Sequence, residues 1–244
     1  MILCGALTKA FWGRCAARGR RSKADVRERA RVNNPHHRGA GLYDLNLALP
    51  IISAIRRQEQ RAIAGLISRY AGRDRMALEV GPGTGFYTLA LAHAFSKVVA
   101  VEDSPRMADI LREKLAARRV GNVEVINRDF LTLPIEQEFD VAVAIGVLDY
   151  IADPGAFVAK LCAAAGRAAI FTVPQRGLWG ACFAAASRLR RTAVYCHHRH
   201  APSAWAPGWQ CTVTEVGLNT RLTRGLTLVA ALEPAQEAAR VRTP

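Results

Sequence analysis

Short apolar runs alternate with stretches of helical periodicity through the middle of the chain. A parallel strand that is buried on both faces gives such a run, because it has no solvent-facing side. The predicted strands are Ala77–Val80, Lys97–Val101, Val123–Ile126, Asp140–Ile145 and Ala168–Val173. The predicted helices are Phe86–Phe95, a helix that begins at Ser104-Pro105 and stops before Gly121, and Pro154–Ala165. Strands separated by helical or loop crossovers predict an α/β fold with a parallel sheet covered on both faces.

The pattern changes on both sides of this alternation. A stripe of apolar residues that ends at Tyr70 predicts a helix just before the first strand. After the last parallel strand, residues 177–189 predict another helix, and residues 196–209 predict an irregular segment. Residues 218–223 and 226–232 predict a terminal β-hairpin.

The size of the chain suits one domain with extensions. It has 244 residues, half of them hydrophobic, which is enough for a large core. We expect a basic, flexible N-terminal extension over residues 1–40 and a folded domain over residues 41–232. Within that domain, residues from about 175 to 210 are expected to form a substrate cover, and residues 233–244 a tail.

Positive charge is concentrated at the N-terminus. The net charge is +14, and residues 1–40 carry +8 of it, from ten Lys and Arg against two acids. This extension is either solvated chain or a contact for nucleic acid or an anionic membrane surface. No apolar run reaches the roughly 18–20 residues of a membrane span. The six cysteines are scattered, which favours reduced thiols and a cytoplasmic protein, although a transit-type peptide stays open.

Three glycines follow the first predicted strand at two-residue intervals. The stretch Met76–Gly85 reads MALEVGPGTG, with Gly81, Gly83 and Gly85 in the turn before the next helix. Glycine permits positive φ and lets the backbone approach a ligand closely. A strand, a glycine turn and a helix in this order are typical of a nucleotide-type site.

Acidic residues follow the next two predicted strands. Glu102 ends the second strand, where a carboxylate can accept hydrogen bonds from ribose hydroxyls. Asp129 follows the third strand and could accept a hydrogen bond from an adenine amino group. Ile145-Gly146 end the fourth strand, where ligands of open α/β sheets collect. Each of these residues also has a purely structural explanation, but the combined pattern favours a site.

Together these motifs resemble the class I S-adenosylmethionine-dependent methyltransferases. The matching segments are Glu79–Gly85, Val101–Met107, Asp129-Phe130 and Phe139–Tyr150, in the order of the family's motifs. The resemblance is good over about residues 45–175 and loose over residues 217–232. It implies a Rossmann-like, doubly wound, mostly parallel seven-stranded sheet with a C-terminal antiparallel hairpin, and S-adenosylmethionine as the cofactor.

The resemblance also implies roles for individual residues. The implied cofactor contacts are Glu79, Gly81, Gly83, Gly85, Glu102, Asp103, Met107, Asp129, Phe130 and Ile145. Glu79 would meet the methionine amino group and Glu102 the ribose. Asp103 and Met107 would lie near the adenine, which Asp129 and Phe130 would flank. Ile145 would offer backbone groups near the methionine moiety.

Two other cofactor and acceptor classes fit less well. A dehydrogenase usually shows Gly-x-Gly-x-x-Gly, whereas Phe86 directly follows the last glycine of this turn. Motif one also resembles that of ribosomal adenine dimethyltransferases. Those enzymes carry an Asn-x-Pro-Tyr-like motif for the flipped base, and this chain has Ile145-Gly146-Val147-Leu148 at that place. We therefore expect a small-molecule acceptor, with RNA methylation or a non-catalytic binding module as alternatives.

Two residues after the fourth strand are candidates for the acceptor side. Asp149 and Tyr150 follow the fourth strand and are candidate catalytic residues, although a helix-start acid and a core aromatic are equally good explanations. Between Asp153 and Glu215 the chain has no acid but carries seven basic residues, which suggests an anionic, partly apolar acceptor or a solvated basic helix. These are Lys160, Arg167, Arg176, Arg188, Arg190, Arg191 and Arg199.

Cysteines and histidines near residue 200 raise the question of a metal. Cys196, His197, His198, His200 and Cys211 lack the paired short spacings of structural zinc, so we expect no metal site. His197 is a further candidate for a general base. The identity of the acceptor, the atom methylated and the oligomeric state are not predicted.

Overall fold

The apolar runs form one mixed sheet of seven strands in the computed structural model, which describes residues 50–189, 193–217 and 227–235. The strands are β1 (Gly72–Val80), β2 (Phe95–Glu102), β3 (Val123–Asn127), β4 (Phe139–Ala144), β5 (Ala165–Pro174), β6 (Trp209–Val216) and β7 (Thr227–Pro234). Their order is β3-β2-β1-β4-β5-β7-β6. Neighbours among β1 to β5 are parallel, whereas β7 is antiparallel to both β5 and β6. The predicted seven-stranded, mostly parallel sheet with a C-terminal hairpin is confirmed.

Six α-helices and a short 3-10 helix are found within the described residues. They are α1 (Pro50–Tyr70), α2 (Thr88–Ala94), α3 (Pro105–Ala117), the 3-10 helix Leu148–Tyr150, α4 (Gly155–Ala163), α5 (Leu178–Leu189) and α6 (Ala201–Trp205). Proline stands at the first position of α1 and α3, where its missing N–H costs no hydrogen bond. None of these helices is both long and apolar enough to cross a membrane.

The two faces of the sheet carry separate apolar layers, because successive side chains of a strand point to opposite faces. Ala77 and Val98 lie on the face that packs against α1 and α2. Leu78 and Ala142 lie on the other face, against Leu161 of α4. Both layers are almost completely buried, so the strands read as continuous apolar runs in the sequence.

The connection from β3 to β4 is a loop over residues 128–138 rather than a helix. Lys160 of α4 holds this loop, because its ammonium group donates to the backbone oxygens of Phe130 (2.5 Å), Leu131 (3.2 Å) and Leu133. The same ammonium group lies 4.9 Å from the centre of the Phe130 ring. Lys160 therefore fixes a crossover connection. The sequence had grouped it with the basic residues that suggest an anionic acceptor, and the structure gives it this other role.

The last part of the sheet differs from the prediction. The first hairpin strand is β6, which begins at Trp209, whereas the sequence predicted residues 218–223, all of which lie outside the described ranges. The strand β6 is at the edge of the sheet and alternates Thr with apolar residues, so it lacks a continuous apolar run. The predicted irregular segment over residues 196–209 contains the short helix α6.

The basic extension over residues 1–40 and residues 236–244 of the predicted tail lie outside the described ranges. The domain boundaries therefore stay predictions.

The packing of α4 leads to a stability prediction. Leu161→Ala removes a completely buried side chain between α4 and the sheet, so we expect the free energy of unfolding to fall by about 2–5 kcal/mol. Leu131→Ala is the matched control, because Leu131 is 46% exposed and its loss should cost no more than about 0.5 kcal/mol. Urea unfolding followed by circular dichroism measures both. Equal losses for the two variants would contradict this assignment of the core.

Candidate functional site

The glycine turn leaves β1 at the carboxyl edge of the sheet and is closed by backbone hydrogen bonds. The Gly81 N–H donates to the Val101 carbonyl at 2.8 Å, and the Gly85 N–H donates to the Pro82 carbonyl at 2.9 Å. All three glycines have positive φ, at 68°, 56° and 81° for Gly81, Gly83 and Gly85. A side chain at any of them would strain the backbone.

The three glycines differ in what surrounds them. A Cβ on Gly81 would lie 2.5 Å from Val147 Cγ2, and a Cβ on Gly85 would overlap Leu111 Cδ1. These two glycines permit close packing inside the protein. No heavy atom lies within 4 Å of a Cβ placed on Gly83. Gly83 is therefore the glycine of this turn that faces open space and can be approached by a ligand.

Glu102 links the glycine turn to the end of β2. Its side chain is buried, and its two carboxylate oxygens accept hydrogen bonds from the backbone N–H groups of Gly83 and Ser104, each at 2.9 Å. Burial raises the pKa of Glu102 to about 7, and the neighbouring Asp103 adds to the increase. Glu102 is thus not a surface acid. Its predicted contact with a ribose stays a prediction.

Glu79 is the most deeply buried acid of the site, with 3% of its surface exposed. Burial raises its pKa to about 7; the Thr88 hydroxyl opposes this increase, and the charge of Glu102 adds to it. Among the described residues, no group donates a hydrogen bond to Glu79 Oε2. A buried carboxylate oxygen without a donor is costly, so this atom fits the amino group of a ligand beside the turn.

The remaining predicted cofactor residues fall into two groups. Asp103 and Asp129 are exposed, and Asp129 Oδ1 accepts a hydrogen bond from the Leu131 N–H at 2.8 Å within its own loop. Met107 and Phe130 are buried, and the Phe130 ring packs 5.0 Å from the Phe157 ring. Phe130 therefore has a clear packing role, and its place beside an adenine stays a prediction.

The loop after β4 lies against the glycine turn. Ile145 is partly buried, and the next residue, Gly146, has a φ of 71° and donates its N–H to Thr172 Oγ1 at 2.8 Å. The contact between Val147 and Gly81 joins this loop to the turn after β1. The strand order reverses between β1 and β4, and ligands of open α/β sheets bind at such a point.

Asp149 and Tyr150 follow in the 3-10 helix. The Asp149 carbonyl accepts the N–H of Tyr195 at 2.8 Å, which fixes the loop against the segment after α5. Burial raises the pKa of the Asp149 carboxyl to about 7; Glu59 adds to this increase, and Arg56 opposes it. The structure thus connects the candidate Asp149 with two residues of α1.

His197 is held by its backbone and by ring packing. Its N–H donates to the Pro174 carbonyl at 2.9 Å, and its ring lies edge-on to Trp205 at 5.0 Å. Burial lowers the pKa of His197, so the ring is neutral near pH 7. Its Nε2 is buried and has no hydrogen-bond partner among the described residues. A buried nitrogen is a poor position for a general base, and that role stays a prediction.

Most of the described basic residues between Asp153 and Glu215 have structural partners. Besides Lys160, Arg167 binds Asp140 at 2.9 Å, and Arg199 binds Glu215 at 3.3 Å. Arg176 Nη1 lies 3.0 Å from His198 Nε2. The side chains of Trp179 and Phe183 and the whole of Arg190 and Arg191 lie outside what the structure describes. Contacts within the protein thus explain much of the excess of basic residues in this span.

The Cys and His residues near residue 200 do not meet. Cys196 Sγ donates to the Gly180 carbonyl at 3.5 Å, and Cys211 lies on β6. Over the described part of the chain, no three His, Cys, Asp or Glu side chains come close enough to hold a metal ion.

Sequence reasoning missed Glu59. This acid is 9% exposed and lies on α1 four residues from both Ile55 and Ile63, within the helix's buried stripe. A signal was available, since an acid at the i+4 position of an apolar stripe is unusual.

Comparison with known proteins agrees with this geometry. Residues 77–165 match the family described as a methyltransferase domain. The chain is similar to an rRNA adenine N-6-methyltransferase of Saccharopolyspora erythraea, with 41% identity over 83 residues, or 33% of this chain and 21% of that protein. A ribosomal RNA small subunit methyltransferase A of Desulforapulum autotrophicum is 40% identical over 80 residues, or 32% and 28% of the two chains. The chain thus spans less than a third of the length of these curated relatives.

Solved structures share the fold over a larger part of the chain. Magnesium protoporphyrin IX methyltransferase of Synechocystis with bound SAH has a TM-score of 0.61 at 16% identity, covering 77% of this chain and 89% of that one. An S-adenosylmethionine-dependent methyltransferase of Clostridium acetobutylicum has a TM-score of 0.60 at 12% identity, covering 83% and 100%. The chain therefore shares the fold of these methyltransferases.

The raised pKa of Glu79 predicts how stability depends on pH. Between about pH 4.5 and 7 this carboxyl is protonated in the folded state and ionised in the unfolded state. Its contribution to stability is therefore lost as the pH rises, by up to about 1.4 kcal/mol per pH unit. We expect Glu79→Gln to remove this part of the slope, so that the variant gains stability relative to wild type between pH 4.5 and 7. Urea unfolding at a series of pH values measures this difference.

Glu113→Gln is the control for this experiment. Glu113 is exposed on α3, so its replacement should leave the shape of the wild-type pH profile unchanged. A Glu79→Gln profile parallel to that of wild type would contradict the assigned protonation state.

Proposed function

We propose that this protein transfers a methyl group from S-adenosylmethionine to a small acceptor. The observation that carries the proposal is the pair of buried acids at the glycine turn, Glu79 with an oxygen that lacks a donor and Glu102 bound to the turn itself. Gly83 beside them faces open space. The match of residues 77–165 to a methyltransferase domain and the shared fold support the same activity.

The residues of the turn suit the parts of this cofactor. The Glu79 oxygen would accept a hydrogen bond from the cationic amino group of the methionine moiety. Gly83 would let the backbone approach it, and Glu102 would receive the ribose hydroxyls. When bound, S-adenosylmethionine supplies an electrophilic methyl group next to a positively charged sulfur. The protein then contributes chiefly by positioning, because methyl transfer is an in-line displacement.

The acceptor that we propose is small and partly apolar. The loop after β4 carries Gly146-Val147-Leu148, without the Asn and Pro that hold a flipped amino base. An anionic group on the acceptor is part of the same proposal, with the exposed Arg176 and Arg188 as its candidate partners in the described chain. We also propose a reducing, cytoplasmic location, since Cys162, Cys196 and Cys211 are free thiols.

Methylation of ribosomal RNA is the second candidate. The identity of 40–41% with rRNA methyltransferases over about a third of the chain favours it. The basic N-terminal residues would supply contacts with phosphates. The absence of the amino-base motif from the loop after β4 argues against it.

Cofactor binding can be separated from folding with two glycine variants. We expect wild type to bind S-adenosylmethionine and S-adenosylhomocysteine in calorimetry, and Gly83→Arg to bind them at least about 100-fold more weakly, because the new side chain would fill the open space at the turn. Gly208→Arg is the control, since Gly208 also has a positive φ, of 86°, and no heavy atom within 4 Å of an added Cβ, but lies outside the glycine turn. If wild type gives no binding heat with either compound, the proposed activity is wrong.

A labelled-methyl assay separates the two acceptor classes. We expect transfer of the label to small molecules of a metabolite extract and not to ribosomal RNA stripped of protein. The assay is run in parallel with Gly83→Arg, which should label neither. Transfer to RNA alone, in wild type but not in the variant, would replace the small-molecule proposal with the RNA alternative.

A further inference from the structure

The glycine turn rests on α3, and Lys114 of this helix binds the backbone of the turn. Its ammonium group donates to the carbonyl of Thr84, the residue between Gly83 and Gly85. One helical turn earlier, Leu111 occupies the space in which a side chain on Gly85 would lie. Residues three apart lie on the same side of a helix, so Leu111 and Lys114 present one face of α3 to the turn.

The contact of Lys114 is not a local one. Lys114 and Thr84 are 30 positions apart in the chain, and the lysine is partly buried. Lysine side chains are mostly exposed, and ordering one of them costs conformational entropy. A hydrogen bond from an ionised donor is about twice as strong as one between neutral groups, which can offset that cost. The ammonium group of Lys114 is therefore engaged with the turn and is not a solvated surface charge.

A second charged side chain holds the neighbouring residue of the turn. The Glu102 carboxylate accepts the N–H of Gly83 at 2.9 Å, while the Lys114 ammonium group binds the carbonyl of Thr84. The peptide unit that joins Gly83 to Thr84 lies between these two held groups. This is also the place where the turn faces open space, since a Cβ on Gly83 would have no neighbour within 4 Å. Opposite charges thus fix the part of the turn that a ligand can approach.

A turn of this kind needs such support. Gly83 and Gly85 have positive φ, and glycine adopts negative φ about as readily, so the backbone has other conformations within reach. A ligand that binds one of several conformations binds more weakly in proportion to the population of the others. A side chain that stabilises the binding conformation therefore raises affinity without contacting the ligand.

We propose that Lys114 is a positioning residue of the cofactor site, which holds the Thr84 carbonyl and thereby keeps the glycine turn in the conformation that binds S-adenosylmethionine. This inference rests on the proposed methyltransferase function and goes beyond it, because it adds to the site a residue of α3 that acts through the backbone of the turn. Glu102 and Lys114 then have complementary tasks at adjacent residues of the turn.

Two substitutions of Lys114 separate its hydrogen bond from its packing. Lys114→Met keeps an unbranched side chain of similar length and removes the donor and the charge, whereas Lys114→Arg keeps both. In calorimetry with S-adenosylmethionine and S-adenosylhomocysteine, we expect Lys114→Met to bind about 10-fold more weakly than wild type, as the loss of one charge-assisted hydrogen bond predicts. Lys114→Arg should stay within about threefold of wild type.

Arg118→Met is the matched control. It removes a positive charge from the exposed C-terminal end of the same helix, away from the glycine turn, and should bind the cofactor as wild type does. Weaker binding by this variant to the same extent as by Lys114→Met would reduce the effect to the net charge of α3 and overturn the role of the hydrogen bond.

Amide hydrogen exchange of the cofactor-free protein gives a second readout that a merely structural role would not produce. We expect the Gly85 N–H, which donates to the Pro82 carbonyl, to exchange at least about 10-fold faster in Lys114→Met, while the amides of β1 and β2 keep their wild-type rates. Lys114→Arg should restore slow exchange at Gly85. Faster exchange throughout both strands would show general destabilisation and would overturn the inference.

The outcomes distinguish this inference from the proposed function. If wild type binds the cofactor and Lys114→Met binds it equally well, the positioning role is overturned and the proposed function stands. If wild type binds neither compound, the proposed function and the cofactor role of Lys114 both fail. Weaker binding together with faster exchange confined to the turn, both restored by Lys114→Arg, supports the inference.

Discussion

The buried carboxylate of Glu102 is the interaction on which the site depends. A charge inside a protein is tolerated when it is hydrogen-bonded, and both oxygens of Glu102 receive backbone N–H groups, one from the glycine turn after β1 and one from the start of α3. This single side chain therefore joins two crossover connections at the carboxyl edge of the sheet. The turn can keep three residues at positive φ because it is held at both ends.

Glu79 is the acid beside the glycine turn whose hydrogen bonding is not satisfied within the described chain. Glu79 and Glu102 lie near each other, and burial raises the pKa of both acids. In addition, Glu79 Oε2 lacks a hydrogen-bond donor in the described chain. A cationic amino group at this place would favour the ionised forms and would satisfy the free oxygen. The unfavourable burial of Glu79 therefore itself indicates a cationic ligand beside the glycine turn.

The sequence predicts the parallel part of the fold well because burial on both faces leaves continuous apolar runs, as in β4 and β5. It also predicts the glycine turn and both acids beside it. The edge strand β6 escapes prediction, since its exposed residues Gln210, Thr212 and Thr214 interrupt the apolar pattern. Glu59 escapes because its burial depends on which face of α1 packs against the sheet. The partners of Lys160 and Arg199 are distant in sequence, so a basic segment could not be told from a substrate cover.

The pKa values of Glu79 and Asp149 respond to different groups. The pKa of Glu79 depends on burial, Thr88 and Glu102, whereas that of Asp149 depends on burial, Glu59 and Arg56. Neither acid is among the causes of the other's shift. Replacing Glu79 should therefore leave the protonation of Asp149 unchanged, and the two acids contribute separately to the pH dependence of stability.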